Sequence, residues 1–479
     1  LITIVSLLTG AVTPLHAAPK KPLNILFILA DDLGWTDLGC FGSSFYDTPS
    51  LDGLAKGGTR FTQAYAACPV CSPTRSSIMT GQYPARTQNT DFFGGPQPEA
   101  MKKTKRPVLP ARYIEHLDAK HTTLAEALKT HGYATFFAGK WHLGQEGSYP
   151  EDHGFDINMG GFHRGGPYGG KKYFSPYGNP KLKDGPEGEH LPDRLATETV
   201  KFIAANKDKP FLAYLSFYSV HTPLIGREDL VEKYEKKKKL LAKDQAVWDS
   251  EPPRKVRLVQ DHAVYAAMVE AMDQAVGKVL KGLEDNGVAD NTLVIFFSDN
   301  GGLSTSEGHP TSNLPLRAGK GWLYEGGVRE PMIVRWPGVT PADQVCTQPV
   351  ISTDFFPTIL EAAGLPALNQ QHVDGVSFVA TLKNPQRKQK DRTLFWHYPH
   401  WGNQGGTPGT VVRSGDWKLI HFYDPAKPDE LYNLSKDASE KNNLAKQEPE
   451  RLNQLKKHMD RLLKETSARL PTVNPAAQK

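Results

Sequence analysis

"LNILFILADD", residues 23–32, is an unbroken apolar run that stops at two adjacent carboxylates, Asp31 and Asp32. Apolar residues without alternation suit a strand buried on both faces, as in a parallel sheet covered by helices. Three more runs repeat the pattern. "NTLVIFFSDNGG" (291–302) ends in Asp299 and Asn300, "YATFFAGKWHLG" (133–144) in Lys140 and His142, and "PFLAYLSFYSVHTP" (210–223) at His221. Helical patterns lie between them. In "DHAVYAAMVEAMDQAVGKVLKGLEDNG" (261–287), Val264, Met268, Met272, Val276, Val279 and Leu283 make one apolar stripe, closed by Gly287. Strands alternating with helices predict an α/β domain. Open α/β sheets bind ligands beyond the carboxyl ends of their strands, where all four runs carry their polar residues. Each run alone reads as a strand terminator; four together read as a site.

Asp31, Asp32, Asp299 and Asn300 bring three carboxylates and one amide together if their strands are neighbours. Such crowding of negative charge calls for a hard divalent cation, with Ca²⁺ or Mg²⁺ matching oxygen ligands better than zinc or copper.

The 479 residues are 39% hydrophobic and 23% charged, an ordinary globular composition. The net charge of +5 suits anionic substrates, and no zinc-finger or RNA-binding signature accompanies it, which excludes nucleic acid as the expected partner. "LITIVSLLTGAVTPLHAAPKKP" (1–22) has an apolar stretch too short to span a bilayer, running into Ala17 and Ala18. It reads as a signal peptide over 1–18, with export to the periplasm or medium expected, although the usual initial Met and basic start are missing. No later segment is long and apolar enough for a membrane span. Four cysteines, Cys40, Cys68, Cys71 and Cys346, are too few for a disulfide scaffold, and no pairing follows from their spacing.

"ACPVCSPTRSSIMTG" (67–81) admits a redox CxxC, half of a metal site, or a single cysteine with its own chemistry. No second redox signature supports the first reading, and a zinc ribbon needs another CxxC or His pair. Local structure favours the third. Ser72 suits an N-cap, Pro73 the first helical position and Gly81 the helix end, which places Cys71 just before a helix N-terminus that attracts anions. Arg75, one turn in, adds a guanidinium suited to oxyanions.

"CSPTR" (71–75), continued by "MTGQYPAR" (79–86), resembles the Cys-x-Pro-x-Arg signature of the sulfatase family. "ADDLGWTDLGCFG" (30–42), "GKWHLG" (139–144), "FSDNGG" (297–302) and "GKGWLYEGGVREPMIVRWPG" (319–338) resemble its other blocks, in its order, and the likeness spans roughly residues 22–440. The resemblance implies an alkaline-phosphatase-like fold: a large, mostly parallel mixed sheet sandwiched by helices, plus a small C-terminal antiparallel sheet with one packed helix. It implies that a maturation enzyme oxidises Cys71 to Cα-formylglycine, whose hydrate attacks the sulfur of a sulfate ester. The second hydroxyl then allows collapse to the aldehyde and release of sulfate, a covalent route that a plain serine could not complete. It further implies a cation, usually calcium, held by Asp31, Asp32, Asp299, Asn300 and the modified Cys71. Arg75 and Lys140 would stabilise the hydrate, His142 would take a proton, Asp299 would help to deprotonate the attacking hydroxyl, and His221 and Lys320 would contact the sulfate. Cys68 becomes a bystander, and Glu325 and Arg329 structural partners. Two alternatives stay open: a phosphonate or phosphate ester hydrolase of the same superfamily, and an inactive binding homologue.

The catalytic α/β domain is expected over 19–390. The loop "FHRGGPYGGKKYFSPYGNPKLKDG" (162–185) offers His163 and Arg164 as substrate contacts, while the lysine-rich 233–255 reads as a solvated helix and loop. From 391 to 479 short strands, "TLFWHYP", "TVVRSGDWKLIHFYD" and "ELYNL", precede an amphipathic helix over 447–470 and form a C-terminal α+β subdomain. Its connection "HYPHWGNQGGTPG" (397–409) carries His397, His400 and Trp401, and His397 and Trp401 are candidates for holding a sugar ring. A sulfated carbohydrate is the expected substrate.

Overall fold

The computed structural model describes residues 21–242, 244–388 and 390–477, so the expected leader over 1–18 lies outside the described residues. The strand Asn24–Ala30 is buried along its whole length. It pairs in parallel with Thr292–Ser298 on one side and with Phe211–Ser216 on the other. Phe211–Ser216 in turn pairs in parallel with Ala134–Gly139, and that strand with Ile157–Met159. Beyond Thr292–Ser298 the antiparallel strand Arg329–Arg335 leads to Thr59–Tyr65, and the short strands Gln344–Cys346 and Val350–Ile351 pair with the latter to complete a nine-stranded mixed sheet.

Register explains why the four apolar runs end in one place. Ala30 stands opposite Ser298, Leu29 opposite Ser216, and Ser216 opposite Gly139. The chain therefore leaves the sheet at one level at Asp31, Asp299 and Lys140. Alternate side chains of the central strand feed two cores. Leu26 and Ile28 pack on the face covered by the helices Leu191–Asn206 and Ala263–Asp285. Ile25, Phe27 and Leu29 pack on the opposite face with Ile78, Leu124 and Phe355, carried by the helices Cys71–Thr80, Leu124–Lys129 and Phe355–Ala362. The expected stripe of Ala263–Asp285 is buried from Met268 to Leu283, although Val264 is only half-buried.

The lysine-rich 233–255 stretch covers the end of the helix Glu228–Lys238 and most of the hairpin Trp248–Glu251 with Arg254–Arg257. Four antiparallel strands, Thr393–Tyr398, Gly409–Ser414, Trp417–Phe422 and Glu430–Asn433, form the small C-terminal sheet. The helix Pro449–Glu465 closes it through Leu455, Met459 and Leu462. Among the described residues no helix is long and apolar enough to cross a membrane.

Candidate active site

A cavity of about 530 Å³ opens above the carboxyl ends of the strands, lined by Cys71, His142, His221 and Lys320 together with Phe92, Phe93, Gly94, Gly165, Tyr168, Thr222, Glu307, Asn403 and Gln404. Beneath it lie the carboxylates, each matched with a cation. Lys140 Nζ donates to Asp31 Oδ2 at 2.7 Å. Lys320 Nζ sits 2.7 and 2.8 Å from the two Asp32 oxygens. Arg75 donates to Asp299 Oδ2 from Nε at 2.8 Å, and its Nη2 lies 2.7 Å from the same oxygen as an ion pair. Its Nη1 donates to the Lys140 carbonyl at 2.8 Å and Ser216 Oγ at 2.7 Å. Sequence reasoning treated the carboxylates as charge for a metal to neutralise; three cations already offset much of it. Lys140 and Lys320 are 0% and 4% exposed, so neither is a solvated surface lysine.

Cys71 opens the helix Cys71–Thr80, every residue of which is buried. The N-cap is Val70, not Ser72, and it contributes no side-chain bond. Ser72 instead uses Oγ to accept from the Phe93 amide at 3.1 Å, tying the helix start to the cavity wall. The helix ends as expected at Gly81, whose φ of 67° favours glycine. Cys71 Sγ lies 3.4 Å from His142 Nδ1, and His142 Nε2 lies 3.0 Å from the Phe93 carbonyl. A carbonyl only accepts, so the Nε2 atom carries the hydrogen and Nδ1 presents its lone pair to position 71. Gly165 closes over this ring, since a Cβ there would stand 2.5 Å from His142 Cε1.

Burial, reinforced by Lys140, holds His142 well below the usual imidazole range and therefore neutral. Burial and the charge of Lys320 push His221 down to about 3. His221 Nδ1 lies 2.7 Å from the Thr222 carbonyl, which leaves Nε2 facing Asp32 Oδ2 at 3.8 Å. Burial raises Asp32, but Lys320, His221 and Lys140 overcome it and keep the carboxylate ionised. Burial also works against the charge of Lys320, yet Asp32 holds it firmly protonated. The Cys71 thiol is pushed up by burial, the opposite of what a thiolate nucleophile needs. All four cysteines are free, and Cys68 is buried. Cys68 and Cys71 therefore form no CxxC disulfide.

The donor set fits a hard cation. Asp31 Oδ1 and Asn300 Oδ1 are buried without a hydrogen-bond partner, while Asn300 Nδ2 donates to Asp32 Oδ1 at 2.8 Å and so fixes the amide orientation. Buried oxygens left unsatisfied in this way are suited to a ligand. Ligand atoms of Asp31, Asp32 and His221 lie within 4.8 Å of one another. His221 is the odd member, because hard cations take oxygen. Asp299 already spends Oδ2 on Arg75 and accepts from the Asp32 amide on Oδ1 at 3.3 Å.

Four expected substrate contacts are not brought to the cavity. His163 and Arg164 are exposed beside Gly165, and that loop sends Gly165 and Tyr168 to the wall instead. His397 is buried, with Nδ1 2.8 Å from Thr410 Oγ1 and Nε2 2.9 Å from the Arg469 carbonyl. Trp401 is buried as well, donating to the Val108 carbonyl at 2.9 Å with the Arg106 guanidinium over its ring. Both aromatics anchor their loop, and its tip supplies Asn403 and Gln404. Phe92, Phe93, Glu307 and the two amides were not anticipated from sequence. The only available signal was proximity in sequence to motif residues.

Hydrolase chemistry on a small anionic group suits these features: a buried cationic floor, an oxygen-rich cation site and a cysteine at a helix start. The family model described as Sulfatase matches residues 23–365, and the model described as N-sulphoglucosamine sulphohydrolase, C-terminal, matches residues 318–469. The chain belongs to the sulfatase family and is a sulfuric ester hydrolase. It is 36% identical to a sulfatase of Formosa agariphila, over 90% of this chain and 86% of that one. It is 30% identical to human arylsulfatase A, over 89% and 84% respectively. The crystal structure of Ps i-CgsB in complex with k-i-k-neocarrahexaose is similar at a TM-score of 0.75 and 30% identity, covering 92% of this chain and 93% of that one.

Proposed function

We propose that this enzyme removes sulfate from a sulfated saccharide, using formylglycine made from Cys71 by a maturation enzyme. The observation that carries the reading is the meeting of position 71, His142, His221 and Lys320 on one cavity over the unsatisfied oxygens of Asp31 and Asn300. The side walls are hydroxyl-bearing, amide and aromatic, the mixture that sugar rings take. Ps i-CgsB, 30% identical, has been crystallised in complex with k-i-k-neocarrahexaose. The expected leader supports export, where sulfated polysaccharides are available.

Each residue has a part that follows from its position. As formylglycine, position 71 would supply a hydrated aldehyde, with one hydroxyl to attack sulfur and another to lose its proton so that sulfate leaves. His142, neutral and with Nδ1 facing position 71, is set to take that proton. Lys320 is charged, buried and on the cavity wall, which makes it the donor to a sulfate or leaving oxygen. His221, with its Nδ1 hydrogen directed at the Thr222 carbonyl, presents Nε2 to the cavity; a bound anion would favour uptake of a solvent proton there, turning Nε2 into a donor to the ester. Arg75 and Lys140 do not reach the cavity wall; they fix Asp299 and Asp31 in place. A cation, calcium by family habit, would be held by Asp31, Asp32, Asp299 and Asn300 and would supply charge to ionise the nucleophile and neutralise the sulfate.

Turnover on defined sulfated saccharides against an aryl sulfate tests the reading, because remote binding energy orients the ester only when the rest of the sugar is present. A higher kcat/KM on at least one saccharide is expected. Faster aryl ester cleavage than on every sugar would overturn the saccharide assignment, and cleavage of matched phosphate esters alone would overturn sulfate.

A further inference from the structure

Glu307 is the one acidic side chain on the wall of a cavity whose other charged member is Lys320. A carboxylate beside a sulfate site weakens anion binding, so its presence needs a compensating use. Hydrogen bonding within the protein does not require the charge. Gln404 Nε2 donates to Glu307 Oε1 at 2.8 Å, Asn403 Nδ2 reaches the same oxygen at 3.5 Å, and Thr222 Oγ1 reaches Oε2 at 3.5 Å. These hydrogen-bond partners are neutral, and a glutamine oxygen could serve the two amides equally well, while the charge itself also favours the protonated Lys320 on the same wall. Oε2, with only the long Thr222 contact, keeps lone pairs for a ligand. The group is also held firmly. Glu307 adopts a φ of 53°, and Gln404, 2% exposed, is pressed against Gly321, where a Cβ would stand 2.4 Å from Gln404 Oε1. The carboxylate thus ties Thr222 to the tip of the 402–406 loop, and Gln404 carries the contact on to Gly321, next to Lys320.

We propose that Glu307 is a specificity-determining residue. It accepts a hydrogen bond from a free hydroxyl on the sulfated ring and rejects rings that carry a second anionic substituent beside the scissile sulfate. The inference rests on the saccharide reading above and narrows it to rings with an unsubstituted neighbour. A charged acceptor binds a hydroxyl more strongly than a neutral one, while a carboxylate repels a second anion placed beside it.

The test compares a monosulfated saccharide having a free vicinal hydroxyl with the vicinal disulfate of the same ring, on wild type and Glu307→Gln. Wild type should prefer the monosulfate by at least tenfold in kcat/KM, and Glu307→Gln should narrow that preference by roughly tenfold, mainly through a lower KM for the disulfate. Glutamine keeps an acceptor for Gln404, and thermal melting checks that the variant is folded. A second measurement needs no variant: raising ionic strength should narrow the wild-type preference by screening the repulsion. An equal preference in both proteins, insensitive to salt, would overturn the inference while leaving saccharide desulfation intact. A wild type active on an aryl sulfate and on neither sugar would overturn both.

Discussion

Two clusters of fully buried charge lie on either side of the turn at residues 320–325, and they differ in what they leave unpaired. In the first, Lys418 Nζ stands 2.9 Å from both Glu325 Oε1 and Glu440 Oε1. Tyr65 Oη donates to Glu325 Oε2 at 2.7 Å, and the Glu325 amide donates to Glu440 Oε2 at 2.6 Å. This cluster is closed over by the small C-terminal sheet, and none of its residues lines the active-site cavity. In the second, Asp31 Oδ1 has only Arg75 at 3.7 Å and Asn300 Oδ1 has no hydrogen-bond partner, directly under a cavity. Similar ingredients serve opposite ends. A network whose four carboxylate oxygens each lie within 2.9 Å of a donor or a cation fixes geometry, although Glu440 Oε1 has only the Lys418 charge. Oxygens without so close a partner keep free energy available for a ligand.

The largest separation between the clusters should come from position 71. Cys71→Ala is expected to lower kcat/KM by roughly a thousandfold or more, since covalent catalysis has no substitute nucleophile there. The melting temperature should barely move, because Cys71 Sγ makes one weak contact, to His142. Peptide mass spectrometry of active wild type should show the aldehyde at position 71, and full activity with an ordinary thiol would sink the mechanism. Next in size is Asp299→Ala. It removes a candidate cation ligand and leaves Arg75 buried without its main partner, so activity should fall by about a hundredfold or more together with bound metal. Chelation should inactivate wild type reversibly, with calcium restoring turnover. Undiminished turnover in protein shown metal-free by elemental analysis would refute the cation assignment.

Much of this site was legible because its residues sit where regular structure ends. Apolar runs stopping at Asp31, Lys140, His221 and Asp299 mark the ends of buried strands, and parallel register then gathers them. Sequence does not carry the pairing between them. That Lys140 falls on Asp31 and Lys320 on Asp32 depends on strand order and on a turn nearly 300 residues along the chain. Loop aromatics misled for a related reason. Trp401 looks like a ring platform until the segment carrying Arg106 and Val108 runs over it, and exposure in a loop is decided by what packs there. Glu307, Asn403 and Gln404 sit in irregular segments without periodicity, where no repeat announces which side faces the substrate.

The ion-paired C-terminal cluster should break in the other sense. Lys418→Met strands Glu325 and Glu440 in the interior and is expected to cost about 3–5 kcal/mol of stability. Turnover per folded molecule should stay within about twofold, because Lys418 touches no cavity residue. Urea denaturation and active-site titration measure the two separately. A variant that keeps its stability but loses turnover would show that the C-terminal cluster belongs to the chemistry after all.

A smaller effect concerns the buried carboxyl beside the cavity wall. Asp91 Oδ1 accepts from the Phe92 amide at 2.9 Å and from Tyr398 Oη at 3.2 Å, and Oδ2 lies 3.5 Å from His400 Nδ1. Burial raises Asp91 to about 8, the two hydrogen bonds opposing it, while burial keeps His400 neutral. The unfolded carboxyl titrates near ~3.9, so between about 4 and about 8 the native protein holds a proton that the unfolded chain has lost. The stability Asp91 contributes is therefore complete below the unfolded value and is lost as pH rises through the folded one. Asp37, Asp273 and Glu440, also raised, act in the same sense, so the wild-type slope alone does not isolate Asp91. Asp91→Asn does: its amide keeps an acceptor for Phe92 and Tyr398, gives His400 a donor and cannot ionise. Between pH 5.5 and 8.5 wild type should lose about 2–3 kcal/mol more than the variant in urea denaturation, with the two converging on the acid side. Parallel profiles would mean that Asp91 is ionised in the native protein, and that water or an ion reaches a carboxylate the structure shows as buried.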